Sequence, residues 1–512
     1  MGSSPQMKSI EIMDTTLRDG EQTSGVSFST SEKMAITRLL LQDLHVPRVE
    51  IASARVSEGE RATVARICSW AAANRCIGAI EVLGFIDRGK SVDWVKGVGA
   101  KVINLLAKGS EKHCRLQLRM TPDEHFKAIA EEIGRASGAG LEVNLYLEDW
   151  SNGMKHSPDY VFSLMDALRD LPVRRYLLPD TLGILDPADT GLYVNKMVER
   201  YPELHFDFHA HNDYDLATAN VLAAVKAGAR GIHCTVNGLG ERAGNATLSS
   251  SVTALHDMLG VTTGIDESKI NKVSHIVESF SGIPVPPNKP IIGESVFTQC
   301  AGVHADGDNK SKLYYNDLLP ERFGREREYA LGKTSGRANI RKNLEALGIE
   351  LSDEEVLKVT DRVIQLGDKK ELVSQADLPF IVADVLRHSA LPARVRVVNY
   401  ALNLAQGLRP TATVKLIVDD TEYQESAVGD GQFDAFMRAV RTIYTQRLGR
   451  TFPTLSNYSV NIPPGGRTDA LVQTTVTWNH EGTSIKTRGL DADQTEAAIR
   501  ATVKMLNIIE NK

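Results

Sequence analysis

From residue 10 to about residue 260 the chain repeats one rhythm of apolar and polar positions: a short β-like run, then an amphipathic helical run, eight times over. The strand candidates are Ile10–Leu17, Val46–Ser53, Ala79–Phe85, Lys101–Ala107, Glu142–Glu148, Arg174–Thr181, His205–His211 and Gly231–Asn237. Helical runs such as Ser31–Leu44, Gly59–Asn74, Thr121–Ala136, Pro158–Leu171 and Leu216–Ala227 separate them. Several open on cap signals, among them Ser29-Thr-Ser-Glu, Thr121-Pro-Asp-Glu and Ser157-Pro-Asp. Eight β/α units in about 250 residues predict an α/β fold closed as a (β/α)8 TIM barrel. A doubly wound open sheet is the alternative, but no Gly-x-Gly-x-x-Gly follows the first strand.

The rhythm then changes. Ile283-Pro-Val-Pro-Pro-Asn-Lys-Pro290 is a stiff connector that cannot be helical, and a polar, glycine-dotted loop and a helical stretch from about Gly336 to His388 follow it. From Pro392 onward an approximate repeat of strands (Ala393–Ala405, Thr411–Asp419; Leu455–Ile462, Leu471–Trp478, Thr483–Arg488), each set closed by a helix (Gly431–Arg447; Asp493–Ile509), predicts a small α+β domain of β-β-β-α copies. The expected division is a catalytic barrel over residues 1–280, linker subdomains over 281–390 and a regulatory and dimerisation domain over 391–512.

Composition narrows the partners. A net charge of −6 without a long basic block argues against nucleic acid, and no apolar run approaches the ~18 residues a membrane span needs. The five cysteines are odd in number and lack metal-type spacing, which suits a reducing cytoplasm.

The candidate chemistry lies at the strand ends, where barrel enzymes build their sites. In His205-Phe-Asp-Phe-His-Ala-His211, a period of two puts Asp207, His209 and His211 on one face. A lone His-x-His fits two hydrogen-bonded histidines as well as a metal site. Its company tips the balance: Arg18 and Asp19 end the first strand, Glu148 and Asp149 the fifth, Asp180 and Thr181 the sixth, and the eighth runs into Asn237-Gly-Leu-Gly-Glu-Arg-Ala-Gly-Asn245. Asp19, His209, His211 and Asn245 form a candidate set for a divalent Mn, Mg, Zn or Co ion with positions open to a chelating 2-oxo acid. The ion and Arg18 would polarise the ketone, which is chemistry for making or breaking a carbon–carbon bond beside a carbonyl.

Thr16-Leu-Arg-Asp-Gly-Glu-Gln22, His209-Ala-His211 and Asn237–Asn245 resemble the signatures of the α-isopropylmalate, homocitrate and citramalate synthases, metal-dependent enzymes that condense acetyl-CoA with a 2-oxo acid. The resemblance extends through Gly302-Val-His-Ala-Asp306 to Gly429-Asp-Gly-Gln-Phe-Asp-Ala435 and Pro463-Pro-Gly-Gly466. It implies that Asp19, His209, His211 and Asn245 ligate the metal, Arg18 stabilises enolate and alkoxide charge, and Thr181 binds the 2-oxo acid carboxylate. Glu148 would serve as the base or organise it, and His304 and Tyr314 would reach into the partner subunit of a homodimer. Asp430, Phe433, Asp434 and Pro464 would take a branched-chain amino-acid effector, isoleucine or leucine.

Leu83, Leu106 and Tyr146, at the ends of the third, fourth and fifth strands, are bulky where the 2-oxo acid side chain should lie. With Tyr146-Leu-Glu-Asp-Trp-Ser-Asn-Gly153 they resemble the members that use pyruvate. The expected reaction is then acetyl-CoA with pyruvate, and the alternative is 2-oxoisovalerate, as in leucine synthesis. A reading from another class is a non-catalytic amino-acid sensor, against which intact Arg18, Asp19, His209 and His211 argue.

Overall fold

The computed structural model describes residues 9–299, 316–368, 373, 375–386, 394–461, 472–481 and 483–511. They belong to two compact units, one built from Met1–Phe297 and Asn316–Glu326, the other from Thr298–Tyr315 and Arg327–Lys512.

In the first unit the strands are β1 (Glu11–Asp14), β2 (Arg48–Ser53), β3 (Ile80–Phe85), β4 (Val102–Lys108), β5 (Glu142–Glu148), β6 (Arg175–Asp180), β7 (Phe206–Ala210) and β8 (Gly231–Cys234). They pair in sequence order, and β8 returns to β1 in parallel register from Glu11↔Gly231 to Asp14↔Cys234, closing the barrel. The expected TIM barrel is therefore the fold.

Two strands stop short of the apolar pattern, and each has a physical reason. β1 ends at Asp14 instead of Leu17 because the Thr15 carbonyl accepts from the backbone N–H groups of Arg18, Asp19 and Gly20 (3.2, 2.8 and 3.0 Å), a tight turn that sets Arg18 and Asp19 over the mouth. β8 ends at Cys234 because Thr235 leaves the barrel to pair with the Asn245–Thr247 segment. Capping boxes form at Ser29/Glu32 and Thr121/Glu124. Ser157 does not cap with its side chain; its hydroxyl accepts from the Glu111 backbone N–H at 3.3 Å instead.

Apolar packing between strands and helices forms the main core of this unit. The inside of the barrel is different: Glu50, Glu81, Asn104, Asn144, Asp207 and His233 are all buried there.

The second unit contains helices Arg337–Ala346, Asp353–Asp368 and Leu378–Leu386, packed through Ile340, Leu344, Val356, Val359 and Val363. Two antiparallel three-stranded sheets follow: Val395–Asn403, Thr411–Val418 and Thr421–Val428, then Thr454–Asn461, Val472–His480 and Thr483–Asp491. Helices Gln432–Thr442 and Gln494–Glu510 share one apolar core with both sheets, the β-β-β-α repeat the pattern predicts. Thr421–Val428, not separately predicted, is reached through Asp419 and Asp420, both at positive φ, the backbone of a two-residue hairpin loop. Among the described residues, no helix is long and apolar enough to cross a membrane.

Candidate metal centre and substrate site

Strand period two puts Asp207 and His209 inside the barrel, and His211 follows at the mouth. The turn after β1 brings Asp19 against both imidazoles. Asp19 Oδ2 lies 3.2 Å from His209 Nε2 and 3.8 Å from His211 Nε2, and the two Nε2 atoms are 3.3 Å apart. Among the described residues these three form the group of metal-type side chains.

The donor set fits a divalent ion. Ligand bonds of about 2.1 Å meeting at about 90–109° put neighbouring ligand atoms about 3.0–3.4 Å apart, close to the separations here. Three lone-pair atoms turned towards one another cannot all be satisfied by each other's protons, and Asp19 Oδ2 has no hydrogen-bond partner of acceptable geometry. Burial pushes the Asp19 carboxyl up, but Arg18 with His209 and His211 outweighs it and holds the group well below the usual carboxylate range. Burial lowers both imidazoles, His211 to about 4, which favours the neutral rings, each with one lone-pair nitrogen able to bind an ion.

Asn245 is brought beside this group by an antiparallel bridge to His211. Its Nδ2 donates to the Leu239 carbonyl (3.0 Å), so Oδ1 is the atom left buried without a partner. Gly240 makes room for that amide: a Cβ there would lie 2.2 Å from Asn245 Nδ2.

Arg18 is held on three sides. Nε donates to Glu50 Oε2 (2.7 Å), Nη2 donates to the Tyr146 hydroxyl (3.1 Å), and Nη1 is 3.5 Å from Asp19 Oδ2. A guanidinium has five N–H groups, so donors remain for a substrate oxygen. Glu50 also accepts from Thr15 Oγ1 and Asn104 Nδ2, both at 2.8 Å.

Tyr146, Leu83 and partly buried Leu106 form one small apolar cluster with Met13 and Leu177. Thr181 Oγ1 accepts from the Asp149 backbone N–H (2.9 Å), which leaves the Thr181 hydroxyl proton free to donate elsewhere. Glu148 forms an ion pair with Lys108, its register partner on β4. Asp149 sits at φ 66 and is tied by Ser110 Oγ and Asn152 Nδ2.

Sequence reasoning missed Glu50, Lys108 and His233. Two signals could have found them: charged residues at alternate positions of a buried strand, as in Arg48-Val-Glu50, and ends of adjacent parallel strands that share a register, as Lys108 and Glu148 do. In the second unit, Asp430 accepts from Arg409 (2.6 Å) and Arg438 (2.9 Å), Asp434 accepts from the Asp430 backbone N–H (2.8 Å), and the Phe433 ring lies 5.5 Å from that of Tyr458. His304, Tyr314 and Pro464 lie outside the described residues.

Three family models cover most of the chain. The HMGL-like model matches residues 9–277, more than half the length, with the barrel and all four metal-type candidates inside it. The chain belongs to the HMGL-like family. The homocitrate synthase post-HMGL domain-like model matches residues 291–371, and the LeuA allosteric (dimerisation) domain model matches residues 372–510. An (R)-citramalate synthase of Methanocaldococcus jannaschii is 34% identical over 513 residues, covering 98% of this chain and 100% of that one. A 2-isopropylmalate synthase of the same organism is 32% identical over 505 residues, covering 98% and 94%. Among solved structures, a hydroxymethylglutaryl-CoA lyase from Pseudomonas aeruginosa is 19% identical, covers 55% of this chain and 94% of that one, and has a TM-score of 0.47. The two relatives bear different synthase names at nearly equal identity, so the choice between them falls to the pocket.

Proposed function

We propose that the chain is an (R)-citramalate synthase, condensing acetyl-CoA, pyruvate and water to (R)-citramalate and CoA as the entry to a threonine-independent isoleucine route. One observation carries the choice of substrate: Leu83 and Tyr146 are buried with Met13 and Leu177, and partly buried Leu106 packs against them, next to Arg18. With the carboxylate at Thr181 and the ketone at Arg18, the remaining substituent meets that wall. A methyl group fits against bulky, packed side chains, whereas an isopropyl group has to displace them, and each misplaced carbon costs ~1–3 kcal/mol. The cluster holds no basic residue for the distal carboxylate of 2-oxoglutarate.

Asp19, His209, His211 and Asn245 would hold the divalent ion, which when bound makes the ketone carbon electrophilic. Arg18 donates to the oxygen that gains charge as the new bond forms. Thr181, its hydroxyl proton uncommitted, orients the 2-oxo acid through the carboxylate. Glu148, ion-paired with Lys108, organises proton removal from the acetyl methyl. His304 and Tyr314, from the partner of a homodimer, complete this assignment.

The LeuA-type domain supports feedback control, with isoleucine the effector that matches this product and Asp430, Phe433, Asp434 and Pro464 its site. We place the enzyme in the cytoplasm, with the precursor pool it draws on. Steady-state kinetics with pyruvate, 2-oxoisovalerate and 2-oxoglutarate test the reading. A kcat/KM highest for pyruvate is expected; preference for 2-oxoisovalerate would make the chain a 2-isopropylmalate synthase, with leucine as effector.

A further inference from the structure

Beside the Tyr146 wall lies a histidine to which the proposed reaction gives no role. His233, on β8, is buried with its ring edge-on to Tyr146, the centroids 5.5 Å apart. Its Nδ1 is 3.2 Å from the Tyr146 hydroxyl, and its Nε2 is 3.2 Å from Asp207 Oδ2.

The direction of these bonds follows from the partners. Asp207 is a carboxylate held by Arg48 and by His205 (2.9 Å), and a carboxylate only accepts. Nε2 of His233 therefore carries the ring proton, and Nδ1 offers a lone pair to the Tyr146 O–H. The phenolic oxygen in turn accepts from Arg18 Nη2 at 3.1 Å, while Glu50 Oε2 stands 3.4 Å away as a weaker acceptor. Gly231 makes this stack possible: a Cβ there would lie 2.1 Å from Asp207 Oδ1.

A tyrosine wall discriminates between substituents only if the ring cannot swing aside. Packing by Leu83, Met13 and Leu177 restrains it on the apolar side. The hydroxyl is restrained by the chain Arg48–Asp207–His233–Tyr146, anchored in turn by Glu81 on Arg48. We infer that His233 is a specificity-determining positioning residue, which pins the Tyr146 hydroxyl and so keeps the pocket closed to 2-oxo acids larger than pyruvate.

This inference rests on the pyruvate reading for its direction, but its test is separate. The quantity to measure is the ratio of kcat/KM for pyruvate to that for 2-oxobutyrate, one methylene longer, in the full-length enzyme. His233→Phe keeps a ring and removes the acceptor for Tyr146, while Asp207 retains Arg48 and His205; Tyr146→Phe removes the hydroxyl alone. Each is expected to lower the ratio about 10-fold, the lower end of what one methylene commonly commands. The double variant is expected to match Tyr146→Phe in this ratio, because the bond between the two side chains is already absent there. An unchanged ratio in Tyr146→Phe overturns the inference even if the His233 variant fails to fold. So does a fall in kcat that is equal for both substrates, the mark of a merely structural role, and so do effects that multiply in the double variant. The wild-type preference among 2-oxo acids tests the pyruvate reading independently of all these outcomes.

Discussion

The barrel interior and the paired sheets of the second unit solve opposite problems with similar strands. Inside the barrel, Arg18, Glu50, Asn104, Asn144, Glu81, Arg48, Asp207, His233 and Tyr146 link in a closed ring of hydrogen bonds and ion pairs. In the second unit, strand Thr411–Val418 alternates buried apolar and half-buried residues in the usual way, and charges such as Asp430 lie on the outside. The barrel accepts the cost of desolvating charged groups because they fix one another and, through Arg18 and Tyr146, the site. The sheets keep an apolar core and leave their polar groups free to meet solvent, an effector or another copy of the chain. Charge inside a fold is thus a pointer to chemistry, whereas charge on its rim is a weak one.

The contrast can be broken most severely at the ion. Exhaustive chelation is expected to lower turnover by at least ~10³-fold, with recovery on adding Mn or Mg, while leaving any effector-induced shift in melting temperature in place. Persistence of full activity in assays under chelation would remove the proposed centre. Glu50→Gln comes next: it weakens the charged partner of Arg18 Nε, and kcat is expected to fall ~10²-fold with KM nearly unchanged. A variant as active as the wild type would show that the ring does not serve catalysis.

A third test separates useful buried charge from costly buried charge. Asp14, fully buried and accepting from the Thr16 backbone N–H and hydroxyl (2.9 and 3.0 Å), is pushed by desolvation from 3.8 up to about 7. Its folded value lies above its unfolded one, so the stability it contributes is present below about pH 4 and lost as pH rises through about 7. Asp14→Asn should therefore gain stability over the wild type as pH goes from 5 to 8, by a few kcal/mol at most on the order of ~1.4 kcal/mol per pH unit. Thermal melts in which the difference between the two proteins stays flat across that range would rule out the buried acid. The smallest effect belongs to the rim: Arg438→Ala, which removes exposed pairs with Asp430 and Asp434, should change stability by less than ~1 kcal/mol and leave basal kcat alone.

Much of the architecture could be read from periodicity alone. The eight β/α units and the two β-β-β-α copies follow from it, and the convergence of Asp19, His209 and His211 follows from strand ends and period two. What escaped the reading depends on partners distant in sequence. Glu50 looked like one acid in an apolar strand because its partners Arg18 and Asn104 come from other strands and turns. The Lys108–Glu148 pair depends on register between β4 and β5, which local sequence does not fix. Thr421–Val428 was hidden because its polar face dilutes the apolar alternation, and its turn uses Asp-Asp where Asn-Gly would have announced it.

The ring has a bearing on how this barrel forms. Its bond between Arg48 and Asp207 joins β2 to β7, 159 residues apart. Until both ends of the chain have met, Asp207 lacks its guanidinium and Arg48 has only Glu81 and Glu11, so a partial barrel that excluded water would desolvate these charges without their full set of partners. Closure is then expected to expel water from the lumen late and in one step, bringing the strand ends that carry the chemistry to their places together.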